Sequence, residues 1–579
     1  MSNIFYIISI LTVGILFLII KKRQNKKIDL IPQICIMFLC VLAYQTLECI
    51  ILSYINISIS LNILSIINLI AIFLLTIVIK KKGIQSFKIE KKDFLAIIIL
   101  LVLVSTISYY DVGKIEDIRY YSTDASIHYI AAKEFYQNDK LLYKTEGTET
   151  AGQMMPIAYT NVGLIFKTLE PIIGEMNFYR AFIFFDIIIF LASAILFYFI
   201  IKNKMNTKID FLIGIVVTII YMLGYPLNNL LSGFYYLGIG CLAINGILYV
   251  LKQKENKNIV TLSLLNVTLI LSYSLFAPVV YLSMFIYYLI ITRKKYNKIL
   301  NKEFIINTIV TLILPGIIGV LYLIVPDVNV IKCITLDGYI NKKLLVNILF
   351  FIPFVAYLLF KKIKEKDIDY EIIYFIILII YTLISFWMTK QKIFSQYYFY
   401  KVAYILWTII IILFFEGFIE FTNKYKKQKY IASIYLIAYV FFLVLVILTN
   451  NKYILSIYNI YEDNIKLINT EKNLDNQEIK MLAYLYDNNI ISQTENNVLF
   501  IQDFMGEAWI RSMFKYRNRY PLEKNNYYEY IEKWNNGETD YLVVFEDSRI
   551  YKVCKKYINF ENSKLIYTTE NSKLYVYNK

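Results

Sequence analysis

Fourteen apolar runs, each long enough to cross a bilayer, constrain this chain more than any other feature. They lie near residues 3–20, 29–51, 62–79, 94–109, 181–201, 209–225, 235–251, 259–274, 276–291, 304–325, 344–360, 372–388, 402–418 and 431–449. A transmembrane helix needs about 17–25 consecutive residues of this kind. The stretch over 259–291 is too long for one span and divides at Ala277-Pro278. The first run has no basic segment before it and no small-residue cleavage site, so it reads as a span rather than a removed leader. The expected fold is an α-helical polytopic membrane protein of about fourteen spans.

The charge pattern orients those spans. The net charge is +16, which in a soluble protein would suggest nucleic acid. Residues 450–579 hold 17 Lys/Arg and 18 Asp/Glu, so the whole excess lies in the apolar part. Thirty of the 43 Lys/Arg before residue 450 fall in the loops at 21–27, 80–93, 202–208, 252–258, 292–302, 361–371 and 419–430. These loops alternate with the others, and short loops rich in Lys and Arg stay cytoplasmic. The bilayer, not nucleic acid, is the expected partner. Both termini then lie outside, with the segment 110–180 and the tail from residue 450.

Composition removes other classes. The chain is 58% hydrophobic and 18% charged, against about 45–50% and 25% in soluble domains. Disorder needs the opposite balance. Six cysteines are scattered without a CxxC pair and there is one histidine, His128, so neither a disulfide scaffold nor a multi-histidine metal site is expected. No metal-ligating residue is assigned.

The chain divides into a membrane domain, 1–449, and a small extracytoplasmic α/β domain, 450–579. The tail shows helical patterns near 475–488, 505–515 and 525–535. Its β-rich runs are Val498–Ile501, Tyr541–Phe545, Lys564–Tyr567 and Lys573–Tyr577, the last two spaced as a hairpin.

Chemistry is expected on the outer face. In the segment Tyr120–Tyr136, the residues Ser122, Thr123 and Asp124 are good N-caps, so a helix should start there. Asp124 and His128 then share one face. Asp124 can take a proton from an acceptor hydroxyl, and His128 can hold it in place or meet a phosphate. The same pattern also suits a capping aspartate with a histidine packed beneath it. Asp111, at the exit of the fourth span, is a second candidate base or a mark of the membrane boundary. Arg180 and Lys401 sit where an outer-leaflet phosphate would lie. Tyr397 and Tyr398 offer apolar bodies with polar tips, suited to a sugar face or to an aromatic belt. Asp186 lies inside the fifth span, where a carboxylate is costly and so functional or paired.

Many spans, an acidic outer loop and an outer α/β tail together resemble the membrane glycosyltransferases of the GT-C superfamily. Thr123–Tyr129 with Ala131–Phe135 is similar to the Asp-containing outer-loop segment of bacterial and archaeal members, and Ser272–Pro278 and Ser395–Lys401 resemble further stretches of such proteins. The resemblance implies an inverting transfer from a polyprenyl-phosphate-linked sugar to a glycan, lipid or protein acceptor outside the cell. Asp124 best matches the family's base and Asp111 is second; Arg180 or Lys401 would face the donor phosphate. Two departures stand out: the aspartate follows the fourth span rather than the first, and no clear second acid pair follows. Some members use a divalent cation, though no ligand cluster here demands a cofactor. The alternatives are a transporter or flippase for a lipid-linked saccharide, a polysaccharide polymerase or ligase, and a non-catalytic scaffold.

Overall fold

The computed structural model describes residues 2–21, 27–111, 116–141, 155–253, 259–297, 301–324, 348, 350–425, 430, 434–439, 441, 460–468, 472–491, 498–514 and 527–578, the side chains at 110, 111 and 462 excepted. Long apolar sequences become helices here because a helix satisfies its own backbone polar groups in lipid. The first four are α1 (Ser2–Ile19), α2 (Leu30–Tyr54), α3 (Leu61–Lys82) and α4 (Lys91–Asp111). Two helices of the long connecting segment follow, α5 (Asp124–Asn138) and α6 (Pro156–Ile173). The bundle continues with α7 (Phe178–Lys202), α8 (Lys208–Leu223), α9 (Tyr225–Ser232), α10 (Tyr235–Lys252), α11 (Ile259–Tyr273) and α12 (Ala277–Tyr296). It closes with α13 (Lys302–Thr308), α14 (Leu314–Ile324), α15 (Ile352–Lys364), α16 (Tyr370–Lys390) and α17 (Gln396–Lys424).

Among the described residues, eleven continuous helical stretches are long and apolar enough to cross a membrane, the build of a multi-pass membrane protein. One of them, Ile259–Tyr296, holds two of the fourteen expected runs. It breaks at a 3-10 turn, Ser274–Phe276, and Pro278 then opens α12, where its missing N–H costs nothing. The run near 344–360 survives as the 13-residue α15, and most of 431–449 lies outside the described residues. A second break, at Gly224 between α8 and α9, has a packing cause. A Cβ there would lie 2.7 Å from the Trp407 indole, so only glycine lets α17 approach this closely.

The two ends of the bundle differ. At one end the basic loops meet acids from neighbouring helices. Lys202 Nζ lies 2.6 Å from Asp93 and 3.1 Å from Asp29. Lys252 pairs with Glu416 and Glu371, Lys204 and Lys361 with Glu420, and Lys362 with Asp367 and Asp369. The opposite end gathers the start of α1, the end of α2, α5, α6 and the tail. There Asn3 donates to the carbonyls of Lys167 and Thr168, and Lys167 donates to Ile59 O.

Helix α6 was not anticipated from the sequence. Its inner face packs on α2 and α5: Asn161 Nδ2 donates to Thr46 Oγ1 at 3.0 Å, and a Cβ at Gly163 would meet Ala132 O at 2.8 Å.

The tail contains α18 (Ile460–Ile468), α19 (Asn476–Asp487), α20 (Phe504–Phe514), α21 (Tyr527–Asn535) and α22 (Arg549–Cys554). Two residue pairs near the basic end, β1 (Ile28–Asp29) and β2 (Phe87–Lys88), form a minimal parallel ladder. The tail's sheet has β3 (Val498–Ile501), β4 (Tyr541–Phe545), β5 (Ser563–Thr568) and β6 (Ser572–Tyr577), in the order β3-β4-β6-β5. The β3–β4 pair is parallel and the others antiparallel, with β5–β6 the expected hairpin. Alternation sorts the side chains. Leu499, Ile501, Leu542 and Val544 pack with Ile531 and Trp534 of α21, while Val498, Phe500, Val543 and Phe545 join the main core.

The tail docks on the segment that precedes α5. Ile118 N–H donates to Leu474 O at 2.8 Å, Tyr120 N–H to Asn473 Oδ1 at 2.6 Å, and Asn476 N–H to Asp117 Oδ1 at 3.0 Å. Trp509 of α20 is wholly buried among Tyr120, Tyr129 and Phe182, stacked on Tyr120 at 5.9 Å. Ser512 Oγ donates to Ser126 O at 2.9 Å. Lys133 Nζ bonds Met513 O and lies 2.8 Å from Glu175.

Candidate functional site

Asp124 is the first residue of α5, its N–H donating to Ser122 Oγ at 3.0 Å. Its carboxylate is half-buried and accepts from Tyr397 Oη at 3.2 Å. A helix N-terminus favours a negative group there. Tyr397 comes from the start of α17, which is set by Ser395 Oγ accepting from Tyr398 N–H.

One turn further along α17 stands Lys401, 1% exposed. Its ammonium is enclosed by aromatic rings: Tyr397 at 4.1 Å, Phe234 at 4.3 Å, Tyr236 at 5.2 Å, Tyr273 at 5.6 Å and Tyr398 at 6.0 Å. It donates to Tyr236 Oη at 2.9 Å. Desolvated cation–π contacts are worth about 2 kcal/mol or more, which offsets part of the cost of burying the charge.

His128, on the same face of α5 as Asp124, is 3% exposed. Its ring lies 4.4 Å from Tyr236 and 5.6 Å from Tyr235, and its Nδ1 has no hydrogen-bond partner among the described residues. Burial pushes the imidazole down to about 4, against the pull of the Asp124 carboxylate and with help from the Lys401 charge. The ring is therefore neutral at pH 7 and packed beneath Asp124.

The structure thus brings Asp124, His128, Tyr397, Tyr398 and Lys401 into one cluster. Arg180 stands apart: it is exposed at the start of α7, and its Nε donates to Tyr179 Oη at 3.0 Å. Asp111 ends α4, and its side chain lies outside the described residues. Sequence reasoning missed Tyr236 and Phe234. The aromatic run Phe234-Tyr235-Tyr236 at the start of α10 was the available signal, but nothing in it pointed to Lys401.

Chemically, the cluster offers one accessible carboxylate, a phenol bonded to it, and a buried lysine behind the phenol. Among the described residues it holds no second carboxylate in hydrogen-bonded contact. Elsewhere, Asp29, Glu90 and Asp93 bring carboxylate oxygens within 4.8 Å of one another. Lys202 Nζ already lies among them, so an internal ammonium takes the place a cation would hold. Comparison of the chain with protein-family models, with curated proteins and with solved structures finds no match.

Proposed function

We propose that this protein is an integral-membrane glycosyltransferase of the GT-C kind, moving a sugar from a polyprenyl-phosphate donor to an acceptor outside the cell. The supporting observation is the Asp124–Tyr397–Lys401 arrangement, formed where α5 meets α17 at the end of the bundle opposite the basic loops. That placement makes the site extracytoplasmic if the basic loops are cytoplasmic.

In this reading Asp124 takes the proton of the acceptor hydroxyl as its oxygen attacks the anomeric carbon. The bond from that carbon to the phosphate oxygen breaks on the opposite face, and polyprenyl phosphate leaves with its electron pair. The configuration inverts. Tyr397 orients the carboxylate. Lys401, enclosed by rings, acts through Tyr397 and Tyr236, and meets the donor phosphate only if Tyr397 turns aside. His128 supports α5 from beneath as a neutral ring. Arg180, exposed beside Tyr179, is the remaining candidate for the phosphate.

Asp124→Asn tests the reading, because it keeps the shape and the Tyr397 contact while removing the base. General bases contribute about 10²–10⁴-fold. Sugar transfer from a polyprenyl-phosphate donor in proteoliposomes should fall by that factor, with unchanged expression and melting temperature. Wild-type rates in the variant would remove Asp124 as the base. One observation favours a lipid-linked saccharide transporter instead: Asp186 is buried inside the bundle beside a cavity. That reading predicts substrate movement across the vesicle membrane with no glycosidic bond formed.

A further inference from the structure

Asp186 lies inside α7 and is 2% exposed. Its hydrogen bond is weak, from Tyr120 Oη at 3.4 Å. Among the described residues no lysine, arginine or histidine lies within ion-pair reach of it. A carboxylate in that position carries a large desolvation cost unless its charge is met. Among the described residues nothing supplies a counter-charge, which leaves room for a partner from outside the chain.

The cavity beside it shows what would fit. Asp186, Ser193, Tyr221, Asn229 and Thr408, each with a side-chain oxygen, are among the residues that line it, and the space holds about one water-sized particle. Asp186 and Ser193 stand seven residues apart on α7, which puts them on one face. Asn229 comes from α9, the short helix after the Gly224 break, and Thr408 from α17. Asn229 is buried, and its Oδ1 has no hydrogen-bond partner among the described residues. A weakly bonded carboxylate without an ion-pair partner among the described residues and an unpartnered amide oxygen thus border the same small space. No basic side chain lines it.

We propose that this cavity binds one monovalent metal cation. Oxygen ligands suit hard cations, and a single carboxylate balances a single positive charge. Calcium takes six to eight oxygens and magnesium keeps several waters, neither of which this space can hold. The cation neutralises Asp186 and ties α7, α9 and α17 together in the middle of the bundle. The proposal is independent of sugar transfer: it stands or falls on ion binding alone.

The test uses full-length protein in detergent, exchanged into choline chloride and titrated with ²²Na⁺ at constant ionic strength. Wild type should retain about one sodium per chain, saturably, and melt at a higher temperature in sodium chloride than in choline chloride. Asp186→Asn should fold and lose both effects. Asn229→Ala, which removes one oxygen and no charge, should raise the half-saturating sodium concentration about tenfold or more; it carries the test if Asp186→Asn does not fold. Absence of saturable sodium binding by wild type, with equal melting in the two salts, would overturn the proposal. Unchanged binding in both variants would overturn it equally.

Discussion

The only histidine in the chain makes its own environment measurable. His128 is pressed between Tyr235 and Tyr236 with its Nδ1 unpartnered, and burial brings it down to about 4 from an ordinary 6.5. The unfolded chain therefore binds a proton between about pH 6.5 and 4 that the folded chain refuses. Above pH 6.5 both states are neutral and the group has no effect. As pH falls through that window the unfolded state gains, and stability drops. The full shift corresponds to about 3 kcal/mol, of which about 2 kcal/mol has been lost by pH 5.

Wild type alone will not display this slope cleanly. Burial holds the Glu478 carboxyl up at about 7. Its folded form keeps a proton that the unfolded chain releases, so it gains stability over much of the same range as pH falls. The measurement is therefore a difference: melting of wild type minus melting of His128→Gln, from pH 7.5 to 5, in which Glu478 cancels. A direct reading comes from protein labelled with ¹⁵N at histidine, which gives one imidazole spin system. Its titration midpoint should lie near 4. Lys401→Gln should raise the midpoint and Asp124→Asn should lower it further, since the first removes a like charge and the second an attractive one. A midpoint near 6.5, unmoved by either variant, would refute both the burial and the Asp124–His128–Lys401 cluster.

Two further perturbations probe the frame around the site. Trp509→Ala removes a fully buried side chain from between the tail and α5, where such truncations cost about 3–5 kcal/mol; tail undocking, read as faster limited proteolysis after residue 450, should accompany the lower melting temperature, and an unchanged cleavage rate would show that the tail is held elsewhere. Lys202→Met leaves Asp93 buried beside Asp29 and Glu90 without its counter-charge, a loss of about 3–5 kcal/mol; adding Asp93→Asn should recover much of the melting temperature, and an equal loss in the double variant would assign it to packing instead.

Much of the architecture was legible in advance. The hydropathy runs located the long helices, and the tail's four strands and three of its helices, α19, α20 and α21, fell close to their sequence signals, whereas α18 and α22 were not expected. The hairpin Ser563–Thr568 with Ser572–Tyr577 is an example. These are local properties, because a side chain's transfer cost and a turn's composition act over a few residues. Helix α6 was illegible because polar Tyr159, Thr160 and Asn161 interrupt its apolar pattern, and they are buried only through contacts with other helices. The site was half legible. Asp124 and His128 share a face by helical period alone, and the same residues were open to a catalytic or a packed reading.

The sequence by itself determined a many-helix apolar chain, a basic set of alternate loops and a small α/β tail. Tertiary structure decided which polar groups meet. Tyr397 reaches Asp124 across 273 residues, and Tyr236 and Tyr273 close around Lys401 only because α10, α11 and α17 converge. It also separated Arg180 from that cluster and left Asp186 facing a cavity with no counter-charge among the described residues. The physical reason is one of range. Hydropathy and helical period are fixed residue by residue, whereas the burial and partner of a charge depend on helices brought together from distant parts of the chain.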